Sequence, residues 1–166
     1  MKKAIIIGCP GSGKSTFARA LHEITQLPLV HLDLLFWNAD KTTVTREAFM
    51  EKLDAAMRQE GWIIDGNFSF TMEKRMIACD TVFFLDYPVE LCLDGVRSRR
   101  GKERPDLPWI EIADDDEFLT FIKNFETDHR PQVISLLEKY SDKTICHFTS
   151  RQQAQEYLDQ IKIREE

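Results

Sequence analysis

The sequence predicts a single α/β domain in which helices cover a parallel sheet. Three observations carry that expectation. Short continuous apolar runs recur along the chain, as strands buried on both faces require. Between them lie stretches with apolar residues three or four apart, the spacing of amphipathic helices. With 166 residues the chain can bury one sizeable core and has little left for a second domain. Strands alternating with helices read as βαβ units, and these build parallel sheets.

Taken in order, Ala4–Ile7 is an unbroken apolar run and the first strand. Residues 14–25 follow as a helix with Phe17, Leu21 and Ile24 on one face. Leu29–Leu32 is a short second strand. Phe49, Leu53, Ala56 and Met57 mark a helix over about 45–60, stopped by Gly61. Trp62–Ile64 is the third strand and Thr81–Leu85 the fourth. Pro88 opens a helix carrying Val89, Cys92, Leu93 and Val96, since proline suits a first helical turn. Residues 98–116 break the pattern with two prolines, a glycine and an acidic run. Helices resume with Phe118, Phe121, Ile122 and Phe125, and after Pro131 with Val133, Leu137 and Tyr140. Thr144–Phe148 is the fifth strand. Ser150 and Gln153 form a capping box before a last helix with Ala154, Tyr157, Leu158 and Ile161.

Composition excludes several classes. Apolar residues make up 43% and charged residues 30%, ordinary for a globular protein and unlike a disordered chain. The net charge is −6, from 22 Lys+Arg against 28 Asp+Glu, which repels a phosphate backbone and argues against DNA as a partner. No apolar run approaches the roughly 20 residues of a membrane span. The basic start, Lys2-Lys3, precedes an apolar run that ends at Gly8, too short for a secretion signal, so a cytoplasmic protein is expected. Cys9, Cys79, Cys92 and Cys146 are scattered without a C-x-x-C pair, which fits free thiols and gives no zinc spacing. The four histidines show no ligand spacing either. Oligomeric state is not legible.

The chemistry is carried by Gly8-Cys9-Pro10-Gly11-Ser12-Gly13-Lys14-Ser15, a full G-x-x-x-x-G-K-[ST] phosphate-binding loop between a buried strand and a helix. Its glycines let successive backbone N–H groups turn toward phosphate oxygens, and the following helix adds its positive N-terminal end. In this pattern Lys14 bridges the β- and γ-phosphates of ATP, Ser15 ligates Mg²⁺, and Thr16 lies one residue deeper, placed for the α-phosphate. Cys9 either contributes only its backbone and a small side chain, or is a redox thiol that switches nucleotide binding. The expected cofactors are therefore ATP and Mg²⁺.

Ligands of parallel α/β sheets bind beyond the carboxyl ends of the strands. There the chain places His31-Leu32-Asp33, Asp65-Gly66-Asn67, Asp86-Tyr87-Pro88 and Thr149-Ser150. Asp65 ends an apolar strand, the position of a magnesium carboxylate, or else serves its Asp-Gly turn. Asp33 is a general base, or a clamp on an acceptor hydroxyl, or a helix cap. Asp86 reads mainly as a cap for the Pro88 helix. Trp37, next to Phe36, either walls the acceptor or packs on the neighbouring helix. Arg97, Arg99, Arg100, Lys102 and Arg104 crowd one segment of an acidic protein. Arginines there can fold over a triphosphate, an effect worth about 10³–10⁵ in rate in NTPases, and they also suit a helix C-terminus. Arg97 and Arg100 lie one turn apart and share a helix face, from which they can reach the triphosphate, Arg97 touching the nucleotide. Arg130 enters from the far side of this lid, or is a solvated side chain. A GTP switch is disfavoured, because neither Asn-Lys-x-Asp nor Asp-x-x-Gly after strand three is present.

Ile5–Thr16, His31–Trp37, Trp62–Asn67 with Arg75, and Thr81–Pro88 together resemble the bacterial topology-modulation proteins, small adenylate-kinase-like P-loop proteins. The resemblance implies a P-loop NTPase fold, nucleoside- or nucleotide-kinase-like, with a five-stranded parallel sheet of order 2-3-1-4-5 and a lid insertion at about 97–116 within one domain, 1–166. It implies an ATP-dependent phosphotransferase acting on a nucleotide, nucleoside or similar small molecule. Catalysis then falls to Lys14, Asp33, Arg97 and Arg100, the acceptor side to Asp33, Trp37, Asp65, Asn67, Arg75 and Arg130, and magnesium to Ser15 and Asp65. Adenylate kinases continue their third strand as Asp-Gly-Phe-Pro-Arg, whereas this chain reads Asp65-Gly66-Asn67-Phe68-Ser69 and has its next arginine at Arg75. The alternative is a regulatory ATP-binding protein associated with DNA topology that has no acceptor of its own.

Overall fold

The computed structural model describes residues 1–165. In chain order the elements are β1 (Lys3–Gly8), α1 (Lys14–Thr25), β2 (Leu29–His31), α2 (Leu32–Phe36), α3 (Arg46–Met57), β3 (Trp62–Asp65) and α4 (Ser69–Ala78). They continue as β4 (Thr81–Leu85), α5 (Val89–Arg99), α6 (Asp116–Lys123), α7 (Phe125–Asp128), α8 (Arg130–Lys139), β5 (Thr144–Phe148) and α9 (Arg151–Glu165). The five strands form one sheet of order β2-β3-β1-β4-β5, and every pairing is parallel. Side chains alternate across a strand, so β1 feeds two cores. Ala4 and Ile6 face Phe17, Leu21, Phe83 and Phe148, under α1, α5, α6 and α9. Ile5 and Ile7 face Phe49, Leu53, Met72, Met76 and Val133, under α3, α4 and α8. Burial on both faces is what makes β1, β3 and β4 read as unbroken apolar runs. Among the described residues no helix is long and apolar enough to cross a membrane, and all four cysteines are free thiols.

Three local readings need correction. Helix α4 escapes the apolar spacing because its buried face includes Thr71 and Arg75 beside Met72 and Met76. Asp86 does not cap α5, which starts without a side-chain cap; its carboxylate instead accepts from Arg130 Nε and Nη2 at 2.8–3.0 Å and meets His147 Nε2 at 2.7 Å. The capping box at the last helix is offset by one residue. Ser150 Oγ accepts from Gln153 N at 3.3 Å, but the Gln153 side chain accepts from Thr149 N at 2.8 Å.

Candidate active site

The loop between β1 and α1 curls because glycines take conformations closed to other residues. Gly11 (φ 85°) and Gly13 (φ 92°) are left-handed, and Gly13 is the N-cap of α1. The loop also lies against α5 with no space to spare. A Cβ on Gly11 would stand 2.0 Å from Cys92 O, and one on Gly95 would stand 2.0 Å from Gly11 O. The phosphate loop is thus seated on a glycine of a different helix, 84 residues further along the chain by the difference of their numbers.

At the first turn of α1, Ser15 Oγ lies 2.7 Å from Asp65 Oδ2 and 3.0 Å from Asp106 Oδ2. One hydroxyl proton can serve only one of them at a time. Asp65 sits at the end of β3, level with Ile6 of β1, and its Oδ2 also meets His31 Nδ1 at 2.7 Å, while its buried Oδ1 has no hydrogen-bond partner. Two carboxylates and a hydroxyl therefore face one another; Arg104 also holds Asp106 and His31 meets Asp65 Oδ2, which leaves Asp65 Oδ1 as the acceptor without a partner. Such an all-oxygen donor set suits Mg²⁺, which binds through one or two carboxylates and takes its other ligands from water and phosphate. Among the described residues no group of three His, Cys, Asp or Glu forms a self-sufficient metal cage, so the fit is to a cation that arrives with a phosphate.

Lys14 Nζ donates to Cys9 O at 3.3 Å, back across the loop. Burial lowers the Lys14 pKa, and Asp65, Cys9 and Asp33 oppose that shift. Asp33 stands in the first turn of α2, just beyond β2. Burial pushes its carboxyl up to about 6, helped by the charges of Asp65 and Asp106 and opposed by Lys14 and Arg104. Burial also works against an ionised Asp106. The Arg104 fork and the Ser15 hydroxyl overcome it and hold that carboxyl below its usual range. One cavity of about 690 Å³ joins these groups. It runs from Asp33, Asp65 and Phe68 beyond the β2–β3 side, over the phosphate loop, to Ala20, Phe118, Phe121, Ala154 and Leu158 on the β4–β5 side.

Of the residues singled out from sequence, Pro10 to Thr16, Asp33, Asp65, Asn67, Arg99 and Arg104 line this cavity. Gly8 and Cys9 form the base of the loop, and Asn67 ties it to β3 by accepting from Gly8 N at 3.1 Å and donating to Gly8 O at 2.7 Å. Cys9 is buried beside the Cys92 thiol. Arg97 is not among the lining residues; its side chain is 57% exposed and sits 3.6 Å from Asp94 on its own helix. Arg100 pairs with Asp114, also outside the cavity. The helix instead turns Arg99 inward, and the segment after it supplies Arg104 and Asp106. Arg75 is fully buried, and Arg130 is held by Asp86. Trp37 packs edge-on against Trp109 at 5.3 Å and joins the region after β2 to the segment after α5. Sequence reasoning missed Asp106, His31 and Gly95 as site residues. Asp106 lies in an aperiodic stretch, and only its neighbour Arg104, within the basic cluster, gave any signal.

No protein-family profile matches the chain, and no curated protein does. Solved structures do. The shikimate kinase of Bacteroides thetaiotaomicron superposes with a TM-score of 0.58 at 19% identity, over 98% of this chain and 97% of its own. The shikimate kinase of Acinetobacter baumannii, in complex with shikimate, gives 0.63 at 17% identity, over 97% of this chain and 90% of its own. The strand order and these likenesses show that the chain has the P-loop kinase fold.

Proposed function

We propose that the protein is an ATP-dependent phosphotransferase that moves the γ-phosphate of ATP to the hydroxyl of a small molecule. The observation that carries this reading is the placement, in one cavity, of the phosphate loop with Lys14, the Ser15–Asp65 pair, and the carboxyl of Asp33. The backbone N–H groups of the loop hold the phosphates, and Lys14 faces the oxygens where charge builds during transfer. Ser15, Asp65 and Asp106 would hold Mg²⁺ delivered with ATP, and the ion would supply neutralisation of phosphate charge there. His31 fixes Asp65 by sharing its Oδ2. Asp33 receives the acceptor's hydroxyl proton as the new O–P bond forms and the bond from the γ-phosphorus to the bridging oxygen breaks, releasing ADP. Arg99 and Arg104, which line the cavity, are the candidates for neutralising the γ-phosphate. The kinase fold of the solved neighbours agrees with this chemistry.

The test is ADP release from Mg·ATP with water alone and with pooled hydroxyl compounds. Acceptor-dependent ADP release, with an equal amount of phosphorylated product, supports transfer. ATP binding with no product from any pool would favour a regulatory nucleotide-binding role instead.

A further inference from the structure

We infer that Arg75 is a positioning residue for the phosphate loop, acting through the turn after β3 and the side chain of Asn67. The inference rests on the nucleotide site of the phosphotransferase reading above. Arg75 lies on α4, is fully buried and does not line the cavity, so any effect it has on the site passes through other residues. Burial pulls its pKa down to about 10 and the Asp65 charge opposes that shift, so the guanidinium stays charged at neutral pH. A charge taken out of water is costly unless it is well bonded. The bonds of Arg75 go to a hydroxyl and two carbonyls: Nε donates to Thr71 Oγ1 at 3.1 Å, Nη1 donates to Gly66 O at 3.0 Å, and Nη2 meets Asn67 O. Thr71 holds the next carbonyl, donating its N–H to Phe68 O at 2.8 Å and its hydroxyl to the same oxygen at 3.0 Å. Three consecutive carbonyls are thus fixed by one face of α4.

This turn is one that needs holding. Phe68 takes φ 38°, a left-handed conformation that persists in a residue other than glycine only where its surroundings over-determine it. The turn also bears directly on the phosphate loop. Asn67 Oδ1 accepts from Gly8 N at 3.1 Å, and Asn67 Nδ2 donates to Gly8 O at 2.7 Å. Gly8 ends β1 and begins the loop. Both bonds require the Asn67 backbone at one height, and the guanidinium sets that height by gripping the carbonyls of residues 66 and 67. A planar fork can grip two carbonyls at once, and bonds from a charged donor are roughly twice as strong as neutral ones. An ammonium cannot reproduce the fork, and an apolar side chain would leave both carbonyls without their donor.

The experiment measures nucleotide affinity by calorimetry, with Mg²⁺ and a non-hydrolysable ATP analogue and separately with ADP in EDTA. Urea titration establishes that each protein is folded at the temperature used. The proteins are the parent chain, Arg75→Lys, Thr71→Val, Thr71→Ser, Asn67→Ala and the double variant of Arg75→Lys with Asn67→Ala. Folded Arg75→Lys is expected to bind both nucleotides at least about 10-fold more weakly, the scale of one buried hydrogen bond. Thr71→Val, which removes the anchor of Nε, should weaken both, and Thr71→Ser, which restores the hydroxyl, should recover the parent affinity. The double variant should lose no more than the worse single one, because the two residues act in series. If Arg75→Lys does not fold, the Thr71 pair carries the same test. Parent affinity in folded Arg75→Lys or Thr71→Val overturns the inference, as do additive losses in the double variant. A loss confined to the Mg²⁺ titration also overturns it, placing the effect on Asp65 instead. No binding of either nucleotide to the parent chain overturns the nucleotide site itself, and this inference with it.

Discussion

Asp33 is held under opposing demands. Burial and the charges of Asp65 and Asp106 raise its carboxyl to about 6, yet it must be ionised to take a proton. Turnover is therefore expected to climb as pH rises through about 6 and to level off above, as a pH–rate profile will show. Its effect on folding runs the other way. A raised carboxyl pKa favours the native state while the group is protonated, and that stability is lost as pH rises through about 6. At pH 8, Asp33→Asn should unfold at a higher urea concentration than the parent, while turnover falls by about 10²-fold or more. A variant no more stable than the parent, with full turnover, would remove Asp33 from the reaction. Asp65→Asn should instead shift the Mg²⁺ concentration needed for half-maximal rate, because the carboxylate shared by Ser15 and His31 is lost. Equal effects of the two substitutions on ATP affinity would contradict this division. Lys14, Ser15 and Asp65 were legible in sequence because each belongs to a contiguous pattern. Asp106 was not, since its place beside Ser15 arises from a tertiary contact across 91 residues.

Between α5 and α6 the chain has no regular element, yet it is not loose. Sequence suggests mutual repulsion among its basic residues. The structure pairs them with acids of the same stretch: Arg99 and Arg104 with Glu111, Arg100 with Asp114, and Arg104 with Asp106. Asp106 reaches Ser15, so this segment touches the point where ATP and Mg²⁺ are proposed to bind. Binding there should hold it more tightly, the condition for a ligand to shift a segment between open and closed forms. Trypsin should cut after the exposed Arg97, Arg100 and Lys102 in the free protein and more slowly with Mg²⁺ and a non-hydrolysable ATP analogue. Equal cleavage at saturating analogue would contradict a nucleotide-driven lid. Element contacts also make Gly95 a test of how the loop is seated. Gly95→Ala puts a methyl 2.0 Å from Gly11 O, so the loop must shift. Nucleotide affinity should drop more sharply than urea stability, which separate binding and unfolding titrations will resolve. In sequence Gly95 resembles any glycine in a helix, because its role depends on an approach between elements that spacing cannot reveal.

Across the whole molecule, the sheet sets the site. The order β2-β3-β1-β4-β5 puts the phosphate loop at the centre, the carboxylates beyond β2 and β3, and the apolar end of the cavity beside α9. Apolar runs such as Ile5–Ile7 made the strands legible, because burial on both faces leaves little choice of residue. The order itself came through a family resemblance, since composition and spacing do not fix which strands are neighbours. The segment between α5 and α6 was legible as a break in periodicity and a basic cluster, but the orientation of its arginines depends on acids that sequence could not pair with them. The net charge of −6 coexists with Lys14, Arg19, Arg99, Arg104 and Arg151 around one cavity, a local reversal suited to a polyphosphate. The direct measurement is calorimetric titration of Mg²⁺ and a non-hydrolysable ATP analogue into the protein and into folded Lys14→Ala. Saturable binding is expected in the parent chain, weakened by at least about 30-fold in the variant, in line with the roughly 2–5 kcal/mol lost when one partner of a buried charge pair is removed. Equal affinity in the two proteins, or no binding to the parent, would contradict the assignment of the loop as the seat of the triphosphate.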